Sequence, residues 1–332
     1  MDSFKIYTQS DISALTNQRE GEEKLGERVL VVSSLDQIIN SSAKFVLLGI
    51  PEDIGVRANL GVGGAKTAWK PAIKAILNTQ SNSFLNGEEI LVLGHFQIED
   101  PAEQSLQSLR KKVNQIDELV YPIVEQIIAA NKIPIIIGGG HNNAFPIIYG
   151  AYLANGKQQL NVVNIDAHTD LRNPAEGRHS GNGFSTAILK GCLKQYKIFG
   201  LHQNYVNKAI ASRIAKDKNI NAFYFEELLQ RENSIVQEWA NFTENLAEPC
   251  GLEIDLDSIA NILSSAKTPS GFALDDIRKI LIKNTMKYNY LHICEGAEKL
   301  SDSREDLTTG KTIAYLVTDF IKALRPHISP QQ

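Results

Sequence analysis

From residue 44 onward the chain alternates short, nearly continuous apolar runs with longer stretches whose apolar positions recur at helical spacing. The runs fall at 45–50, 90–94, 133–137, 161–165, 196–200, 222–225, 251–254 and 290–294. Each is apolar at successive positions, as a strand covered on both faces of a parallel sheet must be. Between them, 102–130 carries Leu106, Leu109, Val113, Ile116, Leu119, Val120, Ile123 and Ile127 on one helical stripe. Shorter helices are expected at 143–154, 186–193, 205–216, 234–246, 274–285 and 312–324. This alternation predicts an α/β fold in three layers, α/β/α, around a parallel sheet of about eight strands. Residues 1–43 are polar, with a charged run at 19–28 broken by Gly21 and Gly26, and are expected to form an N-terminal arm packed on a main domain spanning 44–328. No repeat or linker divides that domain.

In such sheets ligands bind at the carboxyl ends of the strands, and there the unusual residues collect. The run at 161–165 delivers Asp166, His168 and Asp170; the run at 251–254 delivers Asp255 and Asp257; His141 follows Gly138-Gly139-Gly140 after the run at 133–137. If the chain stays extended, alternation places Asp166, His168 and Asp170 on one side. A lone Asp leaving a strand is commonly a turn former, but three such motifs after three apolar runs point to metal ligation. Six ligands exceed what one ion usually needs, so two divalent ions sharing carboxylates are expected. Carboxylates and imidazoles without thiolate suit manganese better than zinc, although affinity alone does not separate manganese, zinc and iron. Two ions lower the pKa of a shared water, which makes the reaction class metal-assisted hydrolysis.

His95, His202 and His292 lack this context and read as packed or surface histidines, and Asp275-Asp276 reads as the acidic first turn of a helix. Two phosphate-loop look-alikes fail on detail. Ala65 interrupts the glycine-lysine step in 61–67, and Glu305 stands where the first glycine should precede Gly310-Lys311-Thr312.

A net charge of −4 and a pI near 6.0, with no lysine or arginine cluster, argue against nucleic acid or an anionic membrane as partner. The remaining partners are a small-molecule substrate and further copies of the chain. Cys192, Cys250 and Cys294 lack metal-type spacing and read as reduced thiols. The start has no apolar leader region, and no apolar stretch approaches the roughly 20 residues of a membrane span. A cytoplasmic location is expected.

Gly139-Gly140-His141, Asp166-Ala167-His168-Thr169-Asp170 and Asp255-Leu256-Asp257 resemble the metal-binding motifs of the ureohydrolases, the arginase and agmatinase superfamily. The resemblance runs from about Phe45 to Leu324 and implies an arginase-like fold, two Mn2+ per chain and a homo-oligomer. It also implies that one ion is held by His141, Asp166, Asp170 and Asp255, and the other by Asp166, His168, Asp255 and Asp257. Within the superfamily, residues 49–55 and 57–61, the string His179-Ser180-Gly181-Asn182, and Glu295-Gly296 resemble the formimidoylglutamase branch. That branch cleaves N-formimidoyl-L-glutamate to L-glutamate and formamide in histidine degradation. Arginases and agmatinases usually carry Asp where Gly140 stands and His where Ser180 stands, so the family's proton-shuttling histidine is displaced and His179 becomes its substitute. The candidate catalytic residues are therefore Asp170, Glu295 and His179. Glu295 is expected to stay ionised beside two cations and to face the amidinium end of the substrate. Arg172, Arg57, Ser180 and Asn182 are the candidate substrate contacts, with Arg178 as a possible third arginine; Arg172 either grips the substrate's α-carboxylate or is a surface residue. The alternatives are another ureohydrolase acting on arginine, agmatine or a guanidino acid, and a catalytically silent metal-binding regulatory protein on the same fold.

Overall fold

The computed structural model describes residues 3–325. Met1 and Asp2, and residues 326–328 of the expected main domain, lie outside the described residues. Among the described residues nine strands form one sheet: β1 (Phe4–Ile6), β2 (Phe45–Gly49), β3 (Ile90–Phe96), β4 (Ile133–Ile137), β5 (Leu160–Ile165), β6 (Leu193–Leu201), β7 (Ile220–Tyr224), β8 (Cys250–Asp255) and β9 (Tyr290–Cys294). Their order is β1-β3-β2-β4-β9-β8-β5-β6-β7, and every pairing except β1 with β3 is parallel. All eight apolar runs are strands. Their two faces feed two separate cores. One packs Trp69, Ile277, Ile280 and Phe320 against Val163, Ile254 and Ile293; the other packs Leu109, Ile116, Ile148 and Phe184 against Val46, Ile136 and Val162. This is the three-layer arrangement that strands apolar on both sides require.

The ninth strand comes from the arm. Phe4–Ile6 is too short to carry a periodic signal and becomes a strand because β3 offers it an antiparallel edge, Phe4 opposite Phe96. The arm is tied down further by the Trp69 indole N–H, which donates to the Tyr7 hydroxyl at 3.1 Å. A helix at Trp69–Leu77, absent from the expected set, lies after the glycine-rich loop and buries Trp69, Ala72, Ile73, Ile76 and Leu77. The helix expected to start at Tyr205 starts at Lys208, because the Asn207 side chain accepts from the Ile210 N–H and caps it there. Asp275 and Asp276 do occupy the first turn of the helix Leu274–Ile282. Among the described residues no helix is long and apolar enough to cross a membrane.

The central strands β4, β9, β8 and β5 are neighbours, so their carboxyl ends open onto one crevice.

Candidate metal centre

The acidic motifs are turns rather than extended chain. β5 ends at Ile165, and Asp166 Oδ1 then accepts from the His168 N–H at 2.6 Å; after β8, Asp255 Oδ1 accepts from the Asp257 N–H at 2.9 Å. In each motif one carboxylate oxygen folds the chain so that the next ligand faces the same space. Asp170 has φ +48, so the Asp166–Asp170 segment is not continuously extended as expected; its turns place Asp166 beside Asp170 in one cluster and beside His168 in another. His141 arrives by another turn. Gly138 and Gly139 have φ +88 and +81, and a Cβ on Gly139 would lie 2.8 Å from the Ile50 carbonyl oxygen. Only glycine allows that reversal.

Glu52 braces this turn. It is buried, and its Oε1 accepts from the Gly140 N–H (2.9 Å), Asn143 Nδ2 (2.8 Å) and Asn142 Nδ2 (3.2 Å). Its Oε2 accepts from the N–H groups of Ile54 (2.6 Å) and Gly55 (3.1 Å). One carboxylate thus joins the loop after β2 to the loop carrying His141. Within the Gly49–Gly55 string Glu52 was only one of the resembling residues, since a carboxylate that binds backbone amides leaves no spacing signature.

His141, Asp166, Asp170 and Asp255 form one cluster of potential ligands, and Asp166, His168 and Asp257 form another. Asp166 belongs to both; Asp255 joins only the first at these separations. His141 Nδ1 lies 2.9 Å from Asp170 Oδ2, 3.1 Å from Asp255 Oδ2 and 3.4 Å from Asp166 Oδ2, and His168 Nδ1 lies 3.1 Å from Asp257 Oδ2. Despite this proximity neither His141 Nδ1 nor Asp257 Oδ1 has a hydrogen-bond partner of good geometry among the described residues. Ligand atoms aimed at a common point look like this; hydrogen-bonded pairs do not.

The charges agree. Burial, then Asp257 and Asp166, push the Asp255 carboxyl well above the usual range, and burial raises that of Asp170. Burial also works against a charged His141, but Cys294 and the carboxylates of Asp166, Asp170 and Asp255 outweigh it and raise its pKa. Four aspartates held together out of water need cationic charge, and the donor set of carboxylate and imidazole fits hard to borderline divalent ions. The residues therefore fit a pair of such ions. His141, His292 and Cys294 form a further potential ligand group.

Above the clusters is a cavity of about 250 Å³ lined by His168, Asp170, Asp255, Asp257 and Glu295 on its floor. Asn59, Arg172, Ser180, Tyr205, Asn207 and Ser265 are among the residues of its walls. Arg172 is exposed, and among the described residues no hydrogen bond or salt bridge holds its guanidinium. Tyr205 stacks on the His168 ring at 4.8 Å and 15°, and His202 stacks behind Tyr205. Glu295, with φ +62, accepts from the His141 N–H at 2.8 Å. In the protein alone burial pushes its carboxyl up to about 8, so its ionisation depends on the cationic charge the floor receives.

Four expected contacts lie elsewhere. Arg57 is held by Asp53 at 2.9 Å, Gln104 at 2.5 Å and Asp100, and does not line the cavity. Arg178 is buried in a two-pronged pair with Asp117, at 2.8 and 3.1 Å, and also donates to Asn182 Oδ1 and to the Asn142 carbonyl. Asn182 is buried between Arg178, the His179 N–H and the Gly177 carbonyl. His179 is fully buried, accepts from the Gly181 N–H through Nδ1, and is absent from the cavity wall; burial and Arg110 pull its pKa down to about 4. The His179–Asn182 string is thus a buried scaffold from which Ser180 and Gly181 reach the cavity. Tyr205, Asn207 and Ser265 were missed because their segments have no metal-type or charged signature.

The sequence model of the arginase family matches residues 43–292, and the chain belongs to that family. A formimidoylglutamase from a Geobacillus species is 29% identical over 294 residues, spanning 84% of this chain and 82% of that protein. A formimidoylglutamase of Streptococcus pyogenes serotype M3 is also 29% identical, over 198 residues that span 56% of this chain and 55% of that protein. The fold matches Trypanosoma cruzi formiminoglutamase with Mn2+2 at a TM-score of 0.72 and 19% identity, covering 92% of this chain and 100% of the other. It matches formimidoylglutamase from Bacillus subtilis at 0.73 and 15% identity, covering 93% and 94%.

Proposed function

We propose that this chain is a manganese-dependent hydrolase of a linear amidine, cleaving the C–N bond of N-formimidoyl-L-glutamate to give L-glutamate and formamide. The observation that carries the reading is the convergence of His141, Asp166, His168, Asp170, Asp255 and Asp257 under a cavity whose wall presents an uncommitted guanidinium, Arg172. Formimidoylglutamases among its relatives, and a relative's structure with Mn2+2, support it.

His141, Asp166, Asp170 and Asp255 would hold one ion, and Asp166, His168 and Asp257, with Asp255, the other. When bound, the pair supplies hydroxide at neutral pH and charge to stabilise the developing negative charge. The protein's own groups do the rest. Glu295 lies on the cavity floor and faces the amidinium end of the substrate. Asp170, with a side chain 13% exposed and on the cavity floor, is placed to carry a proton to the departing amine, the role first assigned to His179. Arg172 grips one carboxylate of the glutamate moiety in a two-pronged contact, and the neutral donors Asn59, Ser180 and Asn207 are left for the other. One arginine, Arg172, and not three, lines the cavity. It still disfavours agmatine, whose ammonium would meet Arg172.

The test is a product assay on formimidoylglutamate, arginine and agmatine with Mn2+-loaded protein. Glutamate and formamide from the first, with little urea from the others, are expected. Efficient urea release without reaction on formimidoylglutamate would assign the site to a guanidino substrate, and no turnover with metal bound would leave a silent metal-binding protein.

A further inference from the structure

One tier below the metal ligands the sheet carries a buried polar rung. Glu253 stands opposite His292 on β9 and Asn164 on β5, and all three are fully buried. Apolar strand residues surround them on both sides of the sheet. A carboxylate here is expensive: an apolar residue of similar size would be as stable or more so. Its presence calls for a use.

The geometry shows one. Glu253 Oε1 accepts from the Tyr290 hydroxyl at 2.7 Å, and Oε2 lies 2.6 Å from His292 Nδ1. The same Oε2 is 3.5 Å from His141 Nε2, the ring nitrogen opposite the one that faces Asp166, Asp170 and Asp255. Among the described residues that nitrogen has no hydrogen-bond partner, so the nearby carboxylate is not matched by a closer acceptor. Room for the anchor is made by Gly251, where a Cβ would lie 2.3 Å from the Tyr290 ring. Asn164 provides a parallel on the neighbouring strand: its Nδ2 donates to Asp166 Oδ2 at 2.8 Å and is backed by the Tyr196 hydroxyl at 3.0 Å.

We infer that Glu253, clamped by Tyr290 and His292, is a positioning residue for His141: it attracts the Nε2–H, fixes the ring's tautomer and rotation, and so leaves the Nδ1 lone pair free for a divalent ion. Outer groups that orient a ligating histidine usually change metal affinity about 10- to 100-fold when removed. The inference rests on the metal reading above and adds a residue to it that touches neither ion nor substrate.

The experiment compares Mn2+ binding, by calorimetry and by the electron paramagnetic resonance of free Mn2+, in the wild type, Glu253→Gln and Tyr290→Phe. Glu253→Gln is expected to weaken Mn2+ binding about 10- to 100-fold at one of two sites. Its KM for formimidoylglutamate should stay within a few-fold, and excess Mn2+ should restore its kcat, which a packing defect would not allow. Tyr290→Phe, which only loosens the clamp, should show the same pattern with a smaller loss of affinity than Glu253→Gln. A folded Glu253→Gln with wild-type Mn2+ affinity overturns the inference. If that variant does not fold, Tyr290→Phe decides, and unchanged affinity there overturns it equally. A wild type that binds no Mn2+ sinks the metal reading itself, a result distinct from either.

Discussion

Glu52→Gln is nearly isosteric, and the geometry makes it a severe test of how the His141 loop is held. Glu52 accepts from five donors, two on Oε2 and three on Oε1. A glutamine must turn its NH2 toward one set. Toward Ile54 and Gly55 it meets two backbone N–H groups that cannot turn away. Toward Oε1, the Asn142 and Asn143 amides can flip to offer oxygens, but the Gly140 N–H cannot. The cheaper orientation strands one buried backbone donor, at about 1–3 kcal/mol, and converts two charge-assisted bonds to neutral ones, at about 1 kcal/mol each. The sum is roughly 3–5 kcal/mol, a large share of the about 5–15 kcal/mol typical of a domain. At about 2.1 cal/mol/K per residue over this chain, the midpoint should fall by roughly 4–7 °C in chelator-treated protein, followed by calorimetry so that bound metal does not mask it. Mn2+ affinity should fall as well, since the loop carries His141. Unchanged stability would refute the reasoning and mean that Glu52 is carried protonated, a state that glutamine imitates; burial does raise its pKa.

Arg172→Ala should lower kcat/KM on formimidoylglutamate about 10- to 100-fold, the equivalent of roughly 1.5–3 kcal/mol for a charge-assisted contact; steady-state kinetics equal to wild type would make Arg172 a surface residue. Arg57→Ala should leave KM within a few-fold, because its guanidinium faces Asp53 and Asp100; a tenfold rise would return Arg57 to the substrate. Asp255→Ala should abolish hydrolysis while circular dichroism stays native, and residual turnover above about 1% would be incompatible with a shared ligand. Chelation should lower the thermal midpoint, since an ion at 100 times its Kd stabilises the folded state by about 2.7 kcal/mol per site; a midpoint indifferent to Mn2+ would argue against occupied sites.

What sequence could reveal depended on the physical nature of each signal. The eight core strands were legible because burial on both faces leaves an apolar run, whereas β1 has three residues and owes its conformation to a partner edge. The six clustered candidate ligands were legible because metal chemistry restricts residue type and turn chemistry restricts spacing. Charge at a distance was not. Arg57, Arg172 and Arg178 look alike in sequence, yet two face aspartates and one faces the cavity. His179 sits one position from where the family places its shuttle, but on a buried turn neighbours in sequence point in different directions. The bracing role of Glu52 and the presence of Glu253 at the site had no signature, because a carboxylate that serves the backbone or another side chain carries no motif.

The two turns that begin with Asp166 and Asp255 bear on which substitutions this lineage can accept. Each carboxylate has two duties: Oδ1 holds the amide two residues on, while Oδ2 faces His141. Glutamate keeps the charge and the affinity for hard cations, yet its extra methylene moves both oxygens at once, so it cannot close the turn and meet the histidine together. Conservation of charge is therefore not conservation of function at these positions. Drift from Asp to Glu, tolerated over much of a protein surface, should be purged here even in a cell replete with manganese.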